Sequence, residues 1–354
     1  LWSGALCSRM PVRKQIDWRA VAAALAERLP LTRLHPKVTS WVADSRGGGS
    51  WAVAFSGGAD SLAVLLLVWA HWPERRKRII ALHFNHCLRG AASTRDQQFC
   101  ERVARSLGIR CAVGYWKDAP RDASEGQSRR ARHAFFSSEL KRRRTSVIWL
   151  GHQQDDIAET MLMRLARGSG AGGLAAPRSV QVLPEKTHVR PLLTVSKQEL
   201  TSIFTALKVP WREDATNRGR RFLRNRMRHD VLPAWRDASI GRDAVAGAAL
   251  SRELLEEDDE ALDEWADRAA VCTKTGAMNL RKLSGVPRAV VRRALHRWIA
   301  TTDPTIELSR QAFHALLDDL MAQRQRRHSL GHERFAVVGA TRLVFERVRR
   351  NVSN

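Results

Sequence analysis

The sequence predicts an α/β fold: a parallel twisted sheet with helices on both faces, followed by a smaller, mostly helical C-terminal domain. Three observations predict it. Short apolar runs alternate with helical patterns over about residues 50–235. Two small polar loops, "FSGGADS" and "LGHQQDD", fall where apolar runs end. After about Pro233 the texture changes to long charged, helix-like segments. Strand, helix, strand in this rhythm implies a parallel sheet covered on both faces, and such sheets bind ligands beyond the carboxyl ends of their strands.

Taken in order, residues 1–49 read as an N-terminal extension and helix, ahead of a sheet domain spanning 50–235. "WAVAF" (51–55) is a compact strand and "LAVLLLVWAHW" (62–72) the helix it feeds. "IIALHF" (79–84) is the next strand, with a helix near 93–107. "RCAVGYW" (110–116) and "SVIWLG" (146–151) are further strands, separated by the arginine-rich helix "SEGQSRRARHAFFSSELKRRR". A helix follows from about Gln154 to Arg167. In the C-terminal domain, 236–354, the stretch "ELLEEDDEALDEWAD" (253–267) predicts an amphipathic helix. Leu254, Leu255, Leu262 and Trp265 form its apolar side, and its acids a solvated face. Segments 287–300 and 308–323 read as helices, and "RFAVVGATRLVFERV" (334–348) alternates like a terminal hairpin. There is no internal repeat.

Composition bounds the function. The 354 residues are 44% hydrophobic, a globular composition, and no run approaches the ~18 apolar residues of a membrane span. Sixty Lys+Arg against 36 Asp+Glu give a net charge of +24, which draws in polyanions and makes nucleic acid the default partner. Cys7, Cys87, Cys100, Cys111 and Cys272 are odd in number, scattered, and form no C-x-x-C pair. Free thiols in a reducing, cytoplasmic setting are the simpler expectation. The first sixteen residues carry Arg9, Arg13 and Lys14 with no acid, a pattern shared by organelle transit peptides and by short basic extensions.

The loop Ser56, Gly57, Gly58, Ala59, Asp60, Ser61 ends a strand and opens directly into a helix. Glycines there allow close backbone approach, and the helix N-terminus favours an anion such as pyrophosphate. Ser56 and Ser61 can add hydroxyl donors; Asp60 suits Mg²⁺ or a cationic substrate. A capped glycine turn is the alternative. The complete S-G-G-x-D-S is neither the Walker loop, which needs G-K-[ST], nor the G-x-G-x-x-G dinucleotide turn. It resembles the PP-loop of the N-type ATP pyrophosphatases, whose domain is of the adenine nucleotide alpha hydrolase type.

Further motifs narrow that resemblance. "LHFNHCLRGAAS" (82–93), "GQSRRARHAFF" (126–136) and "LGHQQDDIAETMLMRLARGSGAGGLAA" (150–176) stand in one order with "RPLLTVSKQEL" (190–200) and "WREDATNRGRRFLRNRMRHDVLP" (211–233). Together they resemble the tRNA(Ile)-lysidine synthetases, closely over about 50–235. The resemblance implies ATP and Mg²⁺ as cofactors, and as partners free L-lysine and an isoleucine tRNA with a CAU anticodon. The wobble cytidine would be adenylated at C2 and AMP displaced by the ε-amine of lysine. No membrane partner is expected, and a homodimer stays open.

Roles then fall on particular residues. Asp156 and Glu159 share one helix face and, with Asp60, would trap an ammonium group; an acid-rich first helical turn is the bland alternative. Arg129 and Arg132 share a face suited to phosphate, or form an ordinary basic surface. His152 would contact ATP or move a proton, with a structural histidine as the alternative. Gly168, Gly170 and Gly173 read as a loop over the site or a linker. Arg218, Arg220, Arg221, Arg224, Arg226 and Arg228 suit a tRNA backbone, or join domains while solvated or salt-bridged. Three positions depart from the family: His133 where Tyr is usual, Gln153 for a second His, and Lys197 for Arg. A PP-loop tRNA 2-thiolase would need reactive cysteines, which the scattered thiols do not offer. NAD or GMP synthetases would not need the charge. A non-catalytic RNA-binding relative is the remaining rival.

Overall fold

In a computed structural model of the chain, residues 16–44, 49–120, 122–213, 219–220, 222–269 and 276–348 are described. Arg218 and Arg221, two of the expected tRNA contacts, and nearly all of the basic N-terminal stretch lie outside them. The chain divides into two compact units, Leu1–Glu253 and Leu254–Asn354. No helix among the described residues is long and apolar enough to cross a membrane.

The first unit opens with helices α1 (Trp18–Arg28) and α2 (Pro36–Asp44). Strand β1 (Trp51–Ala54) leads into α3 (Ala59–His71), then β2 (Ile79–Asn85), α4 (Ala91–Ser106), β3 (Arg110–Tyr115) and α5 (Glu125–Arg142). Next come β4 (Val147–Trp149), α6 (Gln154–Leu165), the single turn α7 (Ala171–Leu174), β5 (Val180–Val182), β6 (Thr187–Val189) and α8 (Lys197–Ala206). A helical segment closes this part as α9 (Leu223–Arg226), a π-type turn over Met227–Val231, and α10 (Leu232–Ala238). Pro233 accounts for the turn: it has no N–H to donate one turn back, and its ring crowds the carbonyl it would have met.

The strands order as β3-β2-β1-β4-β6-β5, parallel except for β5 against β6. The chain winds outward from β1 to β3 and then returns to β4 on β1's other side. Between β1 and β4 lies a topological switch point, where helices leave toward opposite faces and a crevice opens at the strand ends. Both predicted motif loops hang there.

Alternation along the strands explains the two layers. Ala52, Ile80, Leu82 and Ile148 pack on one face with Phe136 and Leu140 of α5. Trp51, Val53, Ile79, Ala81 and Trp149 pack on the other with α3. That helix is apolar on all sides because α1 and α8 cover it too: Ala22, Leu25, Leu200 and Phe204 join the same core. Truncating a residue such as Leu65, wholly buried, would cost about 2–5 kcal/mol. The described part of 1–49 is therefore no appendage, since Trp18, Leu25, Leu29, Leu34 and Val38 complete this core.

The second unit carries the end of α11 (Ala244–Arg268), β7 (Met278–Asn279), α12 (Arg288–Thr302), α13 (Arg310–Met321), β8 (Arg326–Gly331), β9 (Arg334–Val338) and β10 (Arg342–Arg347). The expected hairpin is β9–β10, and β7 and β8 extend it to an antiparallel sheet ordered β7-β10-β9-β8. The expected faces of the acidic helix hold only in part: Leu255 and Leu262 are half-buried and Glu257, Asp258, Glu260 and Glu264 exposed. Leu254 and Trp265 are exposed, whereas Glu256 and Asp259 are buried. The cause is α12: Arg293 pairs with Asp259 and Asp263, and Arg297 with Asp263 and Asp267. Charge complementarity, as well as an apolar stripe, chooses the inward face.

Candidate active site

The loop after β1 is built to hold still. Gly57 adopts φ +88°, and a Cβ there would come within 3.1 Å of Arg212 and 3.2 Å of the Cys100 sulfur. The Ser61 hydroxyl accepts from the Ser56 N–H at 3.1 Å, donates to the Gly58 carbonyl at 3.0 Å, and lies 3.0 Å from the Ser56 hydroxyl. These bonds close the loop on itself. Gly58 is the N-cap of α3 and carries no side chain to satisfy the first-turn N–H groups, an arrangement that suits an anion.

The loop after β4 is seated directly against that turn. A Cβ on Gly151 would lie 2.8 Å from the Asp60 carbonyl carbon and from the Ser61 nitrogen, both backbone atoms. Only glycine allows this approach. It brings His152, Asp155, Asp156 and Glu159 alongside Asp60.

Each acid in the crevice is already held by a cation. The Lys197 ammonium bonds both oxygens of Asp60, at 2.7 and 2.8 Å. Even so, burial pushes the Asp60 carboxyl above the usual carboxylate range, and nearby Asp156 adds to the push. Glu159, 0% exposed, receives the Nε atoms of Arg224 at 2.7 Å and Arg228 at 2.6 Å. Arg224 also donates to Asp156 Oδ1 at 2.7 Å, while Asp156 Oδ2 caps α6 through the Gln153 N–H at 3.0 Å. Burial works against the charged form of Asp156, but Arg224 and that N–H hold its carboxyl below the usual range. Asp155 caps α8 at the Lys197 N–H and pairs with Arg236.

Cations outnumber these acids. Arg129 and Arg132 on α5 have no carboxylate partner among the described residues. Burial, with Arg129 and Arg224 nearby, lowers the Arg132 guanidinium to about 10. Arg190, 5% exposed, donates to the Arg178 carbonyl, to His188 and to His152, but to no acid. Burial and Arg129 bring it to about 10 as well. Three histidines lining the same region are kept neutral, chiefly by burial: His152 and His188 fall to about 3 and His133 to about 4. A site with surplus guanidinium groups and neutral imidazoles is electrostatically unfinished, and a polyanion would complete it.

A family model of the PP-loop domain matches residues 30–235. The chain is 33% identical to a tRNA(Ile)-lysidine synthase of Streptomyces coelicolor over 69% of its own length and 70% of that protein's. The chain belongs to the tRNA(Ile)-lysidine synthase family. It is also similar to members from Geobacter sulfurreducens, 34% identical over 77% of this chain and 59% of that protein, and Pseudomonas aeruginosa, 37% over 67% and 53%. The chain thus spans little more than half the length of those two relatives.

Two of the three departures from the lysidine synthase pattern have structural accounts. Gln153, in the place of a second histidine, caps α6 by accepting from the Asp155 N–H at 2.7 Å. Lys197 cannot make the planar contact of an arginine, yet its ammonium reaches both Asp60 oxygens. His133 lies beside His188, ring centroids 6.2 Å apart. Among the predicted tRNA contacts, Arg224 and Arg228 turn inward onto the acids. Arg220 pairs with Asp230 at 2.9 Å and Arg226 is exposed, so neither joins the crevice acids. The glycine loop is pinned: Gly170 caps α7 and Arg164 donates to the Gly173 carbonyl.

Sequence reasoning missed four contributors. Asp96, buried on α4, clamps Arg89 at 2.8 Å and Arg212 at 2.5 Å behind Gly57. Arg212 also donates its backbone N–H to the Gly57 carbonyl at 2.9 Å. The position of Gly151 directly after an apolar strand was a readable sign of close approach. Arg190 opens the motif "RPLLTVSKQEL", which assigned it no role of its own. Of the described thiols, Cys100 and Cys111 are suppressed by burial, Cys111 up to about 12 and Cys100 further; Cys87 is exposed.

Proposed function

We propose that this chain uses ATP to join free L-lysine to C2 of the wobble cytidine in the CAU anticodon of an isoleucine tRNA, releasing AMP and pyrophosphate. The observation that carries the proposal is the meeting of Asp60, Asp156 and Glu159 beside the Ser56–Ser61 loop, inside a crevice with surplus arginines.

Loop N–H groups at the start of α3 receive the departing pyrophosphate, and Arg129 and Arg132 take the charge that develops at the α-phosphate. The C2 oxygen of cytidine bonds to the α-phosphorus as the bond to pyrophosphate breaks. Lysine nitrogen then bonds to C2 as the bond to AMP oxygen breaks. The ε-ammonium must shed a proton to attack, and Asp60 suits the task because burial has raised its proton affinity. Among the described residues no group of three metal-ligating side chains stands here, so Asp60 would be the one carboxylate contact of a Mg²⁺ held chiefly by phosphate and water, and the ion would supply charge to pyrophosphate.

Lysine ammonium must compete with Lys197, Arg224 and Arg228 for its carboxylates. Phosphates of an arriving tRNA are anions able to draw those arginines away, while the exposed Arg226 remains for the backbone. A sulfur-transfer role would need reactive thiolates at the loop; the Cys100 thiol beside Gly57 is suppressed by burial, which leaves Cys87 as the exposed thiol among the described residues.

The test is incorporation of labelled lysine with ATP and Mg²⁺ into an isoleucine transcript bearing CAU, with a methionine tRNA as control. Label on the isoleucine transcript alone is expected. No label on either, despite ATP binding, overturns the proposal.

A further inference from the structure

Arg190 is the residue the proposed chemistry leaves unused, and its geometry is specific. It follows β6 and donates Nε–H to His152 Nδ1 at 3.2 Å. Its other nitrogens are fixed by the Arg178 carbonyl at 2.6 Å, His188 Nδ1 at 3.2 Å and Gln181 Oε1 at 3.4 Å. A guanidinium has donors only. The Nδ1 atom of His152 must therefore present its lone pair to Arg190, and a neutral ring then carries its proton on Nε2. Among the described residues no hydrogen bond reaches that Nε2.

We propose that Arg190 is a positioning residue that fixes His152 as a neutral Nε2–H hydrogen-bond donor toward the anion bound in the crevice, and so denies it the role of general base. The inference rests on the proposed ATP-dependent reaction for what the anion is, but not for the tautomer. Arg129, Arg190 and Arg224 face His152 as cations, and Asp156 as the opposing acid. Burial and the cations prevail and keep the ring uncharged at neutral pH. Such a donor stabilises developing phosphate charge without a proton transfer, as a neutral imidazole can at other electrophilic sites.

The experiment is ¹⁵N NMR of histidine-labelled protein, with His152 assigned by loss of its signals in His152→Gln. Expected for the wild type is the Nε2–H tautomer at pH 7, with no protonation down to about pH 4. In Arg190→Met the tie to Nδ1 is gone, and His152 should titrate nearer its ordinary value. Arg190→Lys keeps the charge and should titrate between the two. The pH profile of lysine incorporation by Arg190→Met should gain an acid limb absent from the wild type. A wild-type ring carrying its proton on Nδ1, or charged at pH 7, overturns the inference whether or not either variant folds. So does an unchanged His152 titration in folded Arg190→Met. Lysine incorporation by the wild type is scored separately, so failure of the reaction is distinguishable from failure of the tautomer.

Discussion

Two arginine–carboxylate networks occupy this chain, and they differ in a way that separates structure from function. In the second unit, Asp259, Asp263 and Asp267 repeat every four residues on α11 and meet Arg293 and Arg297, four apart on α12. This is a ladder between two regular helices, each arginine bridging two successive acids. In the crevice, Asp60 from the start of α3 and Asp155, Asp156 and Glu159 from the first turns of α6 meet Lys197, Arg224, Arg228 and Arg236 from distant segments. Arg129, Arg132 and Arg190 lie nearby with no carboxylate of their own among the described residues. The ladder is satisfied by its own chain; the crevice has charge to spare for a ligand.

Substitutions should break the two networks differently, and the largest effect belongs to Glu159. Glu159→Gln leaves Arg228 beside a neutral amide and Arg224 with Asp156 as its remaining acid; both guanidiniums are half-buried, and the expected cost is about 3 kcal/mol. The unfolding midpoint should fall sharply, and lysine incorporation should vanish. Next is Gly151→Ala, whose methyl meets α3 backbone at 2.8 Å. Overpacking of about 1–3 kcal/mol is expected, together with loss of ATP affinity in equilibrium binding, because the displaced atoms belong to the loop.

Acid titration sharpens the comparison on the crevice side. His152, His188 and His133 have folded-state values of about 3, 3 and 4, against an ordinary 6.5. The unfolded chain binds more protons in that interval, so stability is lost as pH falls from about 6.5 toward 4. The wild-type unfolding midpoint should drop across that window, and His152→Gln/His188→Gln should flatten the slope. A bound polyanion should flatten it too, by making the charged rings welcome. The smallest effect is expected in the ladder. Asp263 is partly exposed, so Asp263→Asn should cost at most about 1 kcal/mol, read as a small change in midpoint that salt diminishes.

What could be read from the sequence divides along the same line. Strand runs such as Trp51–Phe55 and the loop Ser56–Ser61 were legible because apolar period and glycine placement are local signals. Asp156 and Glu159 were legible as a pair because three residues separate them on one helix. Their partners were not. Arg224 and Arg228 read as tRNA-backbone contacts or as solvated or salt-bridged linker arginines, since nothing near them in sequence tells an inward arginine from an outward one. The acidic helix was legible only in part for a related reason: of its expected apolar side Leu255 and Leu262 are half-buried, but Leu254 and Trp265 are exposed and Asp259 turns inward onto an arginine of α12. Arg190 was invisible because its meaning lies in the lone pair of a histidine 38 positions away.

The central claim is that the crevice acids serve a ligand while the ladder acids serve the fold. The most direct measurement is tRNA-dependent lysine incorporation by Asp156→Ala and Asp263→Asn, purified and assayed side by side with the wild type at a temperature where all three are folded. The account predicts no incorporation by Asp156→Ala and near wild-type incorporation by Asp263→Asn. Full incorporation by Asp156→Ala, or equal loss in both, would contradict it.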